Sequence, residues 1–212
     1  MKKMIVIQIS ALLLISGGLG GMFLFTDVYE EVQSNIVLVL CLRCMKLEVN
    51  TIKEFTFETA NDEPHPDFVL DNLTKGPVFL HYSEKACPGC DIMYPIIKQF
   101  FNVEFEKNEM FYEMINYENS SVSYIYTNID YSSEEMRDSL SIYDKDHVHG
   151  LPMFSVVTLG YDRDIIRPYY TSVYGTLGFD NDEERISLLI ELMQESIDMY
   201  NQNWEGYNPG QQ

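Results

Sequence analysis

The stretch Phe79-Leu80-His81-Tyr82-Ser83-Glu84-Lys85-Ala86-Cys87-Pro88-Gly89-Cys90 decides how the rest of this chain is read. The apolar run Val78-Phe79-Leu80 leads into two cysteines separated by two residues, and a helical pattern follows them. Two thiols at that spacing close a small disulfide ring and open it again, which is the basis of thiol–disulfide exchange. Pro88 suits the first position of a helix, where its missing N–H costs nothing and its φ is already set. Cys87 then stands at the N-cap, where unpaired helix N–H groups and the positive end of the dipole favour a thiolate.

C-x-x-C also occurs in zinc sites, where two such pairs supply four thiolates. This chain has a second pair, Cys41-Leu42-Arg43-Cys44, so spacing alone leaves both redox and zinc chemistry open.

The segment from Phe79 to Cys90 resembles the active-site strand, turn and helix of the thioredoxin family. Pro95 follows Cys90 by five positions, as that family's helix-kinking proline does. Gly150-Leu151-Pro152 precedes the strand-like Met153-Phe154-Ser155-Val156-Val157 and resembles the family's cis-proline loop, which lies beside the disulfide. Gly175 and the helical stretch from about Asp182 to Tyr200 resemble its C-terminal end, so the likeness covers roughly Phe55 to Tyr200. The resemblance implies an α/β thioredoxin-like fold, a central mixed sheet flanked by helices. It implies a protein-disulfide oxidoreductase whose redox-active disulfide is its own reagent, with no further cofactor and no metal. Cys87 is then the nucleophile, on the solvent side of the helix start, and Cys90 the deeper, resolving cysteine. Pro152 is in cis, and Leu151 offers its backbone to a substrate segment as an extra strand beside Pro88 and Gly89.

Four features depart from the family pattern. Ala86 stands where many thioredoxins have tryptophan, and Pro88-Gly89 reverses the usual order between the cysteines. Extra residues run from about Asn102 to Ser121. His81 replaces a buried carboxylate six residues before the first cysteine. On a central strand under Cys90, a neutral His81 is a base for the proton that Cys90 must lose to resolve a mixed disulfide. A protonated His81 would instead stabilise thiolates. A buried histidine holding a structural hydrogen bond is the plainer alternative.

The remaining chain suits one domain and one membrane segment in 212 residues. A formal net charge of -19 argues against nucleic acid and anionic lipid headgroups as partners. Met4 to Phe25 is 22 residues without a charge, long enough to span a bilayer as a helix. Lys2 and Lys3 before it, and Asp27, Glu30 and Glu31 after it, predict a cytoplasmic N-terminus and an extracytoplasmic remainder. A cleaved signal peptide is the competing reading. The expected partition is a signal-anchor over 1–25, a juxtamembrane helix or linker over 26–53, the thioredoxin-like domain over 54–200 and a polar tail over 201–212. Cys41 and Cys44 form a candidate second redox pair, a structural feature, or half of a zinc site with Cys87 and Cys90. The expected partners are protein thiols or disulfides and a membrane electron donor. The reading from a different class is a non-enzymatic docking module on the same fold, with zinc at the four cysteines.

Within the domain, strands are expected at Phe55–Thr59, Pro77–Tyr82, Val122–Ile129, Met153–Leu159 and Ile165–Tyr170. Helices are expected at Asp67–Leu73, Asp91–Glu106, Ser133–Tyr143 and Glu183–Tyr200. The last turns Ile186, Leu189, Ile190 and Met193 inward.

Overall fold

A computed structural model describes residues 55–60, 63–144, 147–162 and 165–209. In chain order it contains α1 (Asp67–Leu73), β1 (Val78–Ser83), α2 (Pro88–Phe101), β2 (Phe111–Tyr117) and β3 (Ser120–Asn128). Then come α3 (Glu134–Tyr143), β4 (Met153–Asp162), β5 (Ile165–Tyr174) and α4 (Asp182–Asn203), with a 3₁₀ turn over Trp204–Gly206.

All six residues of β1 are buried, as a strand covered on both faces must be. It is the middle strand of a five-stranded mixed sheet, ordered β2-β3-β1-β4-β5. β1 runs parallel to β3 and antiparallel to β4, while β2–β3 and β4–β5 are antiparallel pairs. Alternation along β1 divides its side chains between two cores. Phe79 packs with Met93 and Ile97 of α2 and Leu189 and Met193 of α4. Val78, Leu80 and Tyr82 face the other way, among Val69, Leu73 and Tyr143. His81 has the parity of Phe79, so period two places it on the face covered by α2, whose start carries the cysteines.

Local chemistry explains most element ends. Asn181 caps α4 by accepting from the Glu184 N–H at 2.8 Å, and Asp182, Glu183 and Glu184 complement the dipole in its first turn. Ser133 caps α3 through the Met136 N–H.

Several expectations are corrected. α2 begins at Pro88 and ends at Phe101, short of Glu106, because Asn102 adopts a left-handed φ of 52°. The extra residues after it form β2, an edge strand joined to β3 through Glu118 and Asn119, both at positive φ. Phe55–Thr59 is not a strand beyond one bridge, Glu58 to Tyr170. Two residues back on β5, Pro168 has no N–H to carry that ladder on towards Ala60. Ile190 is 43% exposed; the buried stripe of α4 runs through Leu188, Leu189, Leu192, Met193, Ile197 and Tyr200, and Ile190 falls outside it. α4 also continues into the expected tail. Asn203 Nδ2 donates to Leu159 O at 3.1 Å, and Trp204 stacks on Tyr200.

Among the described residues no helix is long and apolar enough to cross a membrane. The expected span Met4–Phe25, the juxtamembrane segment and the Cys41–Cys44 pair lie outside the described residues.

Candidate active site

Cys87 and Cys90 form a disulfide with their Cα atoms 5.2 Å apart. Cys87 is the N-cap of α2 in extended backbone conformation, and Pro88 occupies the first helical turn. The Cys90 N–H donates to Cys87 Sγ at 3.0 Å. That helix-start donor is in place for a Cys87 thiolate. The expected difference in exposure between the two cysteines is absent: Cys87 is 6% exposed and Cys90 7%. The two sulfurs differ in surroundings instead. Cys90 lines a cavity, partly open to solvent, with His81, and Cys87 does not.

The Leu151–Pro152 peptide bond is cis. Pro152 lies against the turn between the cysteines: a Cβ added to Gly89 would stand 3.1 Å from Pro152 Cδ and 3.4 Å from Leu151 O. Glycine at 89 is therefore what lets the proline loop seat on the disulfide turn. Pro152 O accepts from the Gly175 N–H at 2.7 Å, which ties the loop to the end of β5.

Asp144 holds the other end of that loop. Its buried carboxylate accepts from the Val148 N–H at 2.9 Å, the His149 N–H at 3.0 Å and the Tyr174 hydroxyl at 3.0 Å. His147 and His149 take left-handed φ values of 50° and 51°, a conformation that non-glycine residues adopt only with local support. The sequence reading missed Asp144. Nothing distinguishes it among 33 acidic residues until the fold brings Tyr174 and the 147–150 loop around it.

His81 lies among rings, with centroids 4.7 Å from Phe154 and 4.9 Å from Tyr126. Its Nδ1 is 3.0 Å from the Tyr124 hydroxyl, and its Nε2 is buried without a partner. Burial lowers its pKa from 6.5 to about 3, so the ring is neutral at ordinary pH. Burial therefore works against the charged, thiolate-stabilising form of His81.

His81 and Cys90 share a cavity of about 40 Å³ whose inner wall includes Ser83, Tyr126 and Asn128 and whose solvent-facing rim includes Glu84, Lys85, Asp91 and Asn108. It has room for water by the ~10–15 Å³ that one molecule needs. The segment after α2 forms one wall. Lys107 O accepts from the Tyr126 hydroxyl at 2.8 Å and from Asn128 Nδ2 at 2.9 Å, and Tyr94 donates to Phe105 O. Lys107 Nζ pairs with Asp91, the acid that would otherwise oppose a thiolate at the helix start. Lys85 is held through its backbone N–H, which donates to Asp130 at 2.8 Å.

No protein-family model matches the sequence, and no curated protein matches it. Among solved structures, thioredoxin from Aeropyrum pernix is similar at 15% identity, over 68% of this chain and 98% of its own, with a TM-score of 0.34. The chain's own topology is more telling. A C-x-x-C disulfide opens a helix behind the central strand of a mixed sheet, and a cis-proline leading into an antiparallel strand packs on it. The fold is thioredoxin-like.

Proposed function

We propose that this chain is a thiol–disulfide oxidoreductase that exchanges its Cys87–Cys90 disulfide with protein thiols. The observation that carries the reading is the disulfide at the start of α2, packed against the cis Leu151–Pro152 bond. In the oxidising direction a substrate thiolate attacks Cys87 Sγ, the Cys87–Cys90 bond breaks, and Cys90 leaves as a thiolate. A second substrate thiolate then attacks the substrate sulfur of the mixed disulfide, and Cys87 leaves. Two electrons pass from substrate to protein, and the two substrate protons go to the cysteines or to solvent. The reverse sequence reduces a substrate disulfide. Leu151 flanks the substrate backbone as an added strand, with Pro88 and Gly89 forming the opposite wall.

Met4–Phe25 tethers the domain to a membrane, N-terminus inside and domain outside. Its length and flanking charges support this topology. Cys41–Cys44 then serves as a second pair relaying electrons between a membrane donor and Cys87–Cys90.

Substituting Cys90→Ser tests the exchange function. The remaining Cys87 should accumulate mixed disulfides with protein cysteines, visible as reductant-sensitive adducts. No adduct, together with stoichiometric zinc on the full-length protein, would sink the proposal in favour of a docking module.

A further inference from the structure

The Tyr124 hydroxyl is 3.0 Å from His81 Nδ1, and the two residues are 0% and 1% exposed. Around the Tyr124 ring stand Phe79, Phe101, Phe105 and Phe111, none of which is a strong acceptor. Among the described residues, Nδ1 is the only hydrogen-bond partner of that hydroxyl. A phenol has one proton, and burial holds this phenol in its protonated form. If Nδ1 carried the imidazole proton, it would donate to Tyr124. The phenol's own O–H would then be buried with no acceptor. If the proton is on Nε2, Tyr124 donates to Nδ1 and both groups are satisfied.

The second arrangement leaves Nε2–H as the donor still to be matched, and Nε2 is the atom without a partner. His81 and Cys90 line one cavity. Lys85 and Asn108 lie on the cavity's outer, exposed rim, and five donors on the rest of its wall are already committed. Tyr126 O–H and Asn128 Nδ2 donate to Lys107 O, Tyr94 O–H to Phe105 O, Ser83 to Tyr126, and Lys107 Nζ to Asp91.

We propose that Tyr124 fixes His81 as its Nε2–H tautomer, so that His81 offers the Cys90 thiolate a neutral hydrogen-bond donor. This rests on the exchange reading above and changes the role of His81 within it. A nitrogen that already holds a proton does not take one from Cys90. The donor instead stabilises Cys90 as the leaving thiolate when the disulfide opens, favouring the reduced form and a more oxidising couple. Tyr124 is a positioning residue acting through His81.

The test is long-range ¹H–¹⁵N correlation spectroscopy of the ¹⁵N-labelled protein, with the His81 signals assigned by their loss in His81→Asn. The expected result is an Nε2–H imidazole in both redox states. An Nδ1–H imidazole overturns the proposal. In parallel, the equilibrium of the dithiol with glutathione is measured for the native protein, Tyr124→Phe and His81→Phe. His81→Phe should shift the equilibrium about tenfold towards the disulfide, which is ~30 mV more negative. Tyr124→Phe should shift it less, in the same direction. An unchanged or less negative potential in His81→Phe overturns the proposal. A native disulfide that does not equilibrate with glutathione overturns the exchange reading instead, and the tautomer is still read from the spectrum.

Discussion

Gly89 faces Pro152 so closely that a single added methyl would stand 3.1 Å from the proline Cδ. The contact joins the two parts of the site that are farthest apart in sequence. In Gly89→Ala the helix gains about 0.5–1 kcal/mol of propensity, and the crowding at Pro152 offsets it. Urea unfolding should therefore change by less than ~1 kcal/mol. The proline loop must move by a few tenths of an ångström, so exchange with a peptide disulfide should slow roughly tenfold. Exchange with a small disulfide that does not need Leu151 should be nearly unaffected. Equal slowing of both would contradict the docking role of the loop.

Asp144 supports the same loop from its far end. Asp144→Ala leaves the Val148 and His149 amides and the Tyr174 hydroxyl without their acceptor. Hydrogen bonds to a charged group contribute ~1.5–3 kcal/mol each, and part of that is regained as water enters. The expected loss is about 3 kcal/mol in chemical denaturation. Asp144→Asn keeps one acceptor oxygen and should lose roughly half as much. A neutral Asp144→Ala would show that the loop holds its left-handed residues without the carboxylate.

His81 and His65 give the domain a specific acid response. Burial lowers their pKa values from 6.5 to about 3 and about 4. Between those values and 6.5 the unfolded chain binds more protons than the folded one, so stability falls as pH falls through that window. The contribution is fully present above about pH 6.5. For His81 alone the loss at pH ~4.5 is about 2–3 kcal/mol. Urea midpoints at pH 7 and pH 4.5 should therefore differ less in His81→Asn than in the native protein. An identical pH difference in the two would show that His81 is not buried as a neutral ring.

Much of this was legible in local sequence. The strand before Cys87, the capped α3, the β4–β5 hairpin and the Leu151–Pro152 loop each carry their signal within a few residues. The missing pieces depend on distant partners. β2 is a half-exposed edge strand whose burial does not alternate, and its Glu118-Asn119 turn lacks the glycine that advertises a hairpin. Asp144 matters because Tyr174 and the 147–150 loop close around it. The placement of His81 on the sheet face covered by α2, in one cavity with Cys90, follows from strand parity. Its preferred proton position depends on Tyr124, which lies 43 residues away in the chain.

The central claim is that Cys87–Cys90 is a reversible exchange couple. The most direct measurement is a redox titration of the full-length protein in glutathione buffers, with the Cys87 and Cys90 thiols counted by alkylation and mass spectrometry. The account predicts one two-electron transition at a potential between about -270 and -120 mV, the span of known exchange proteins. A disulfide that stays closed below about -300 mV, the range of structural disulfides, would contradict it.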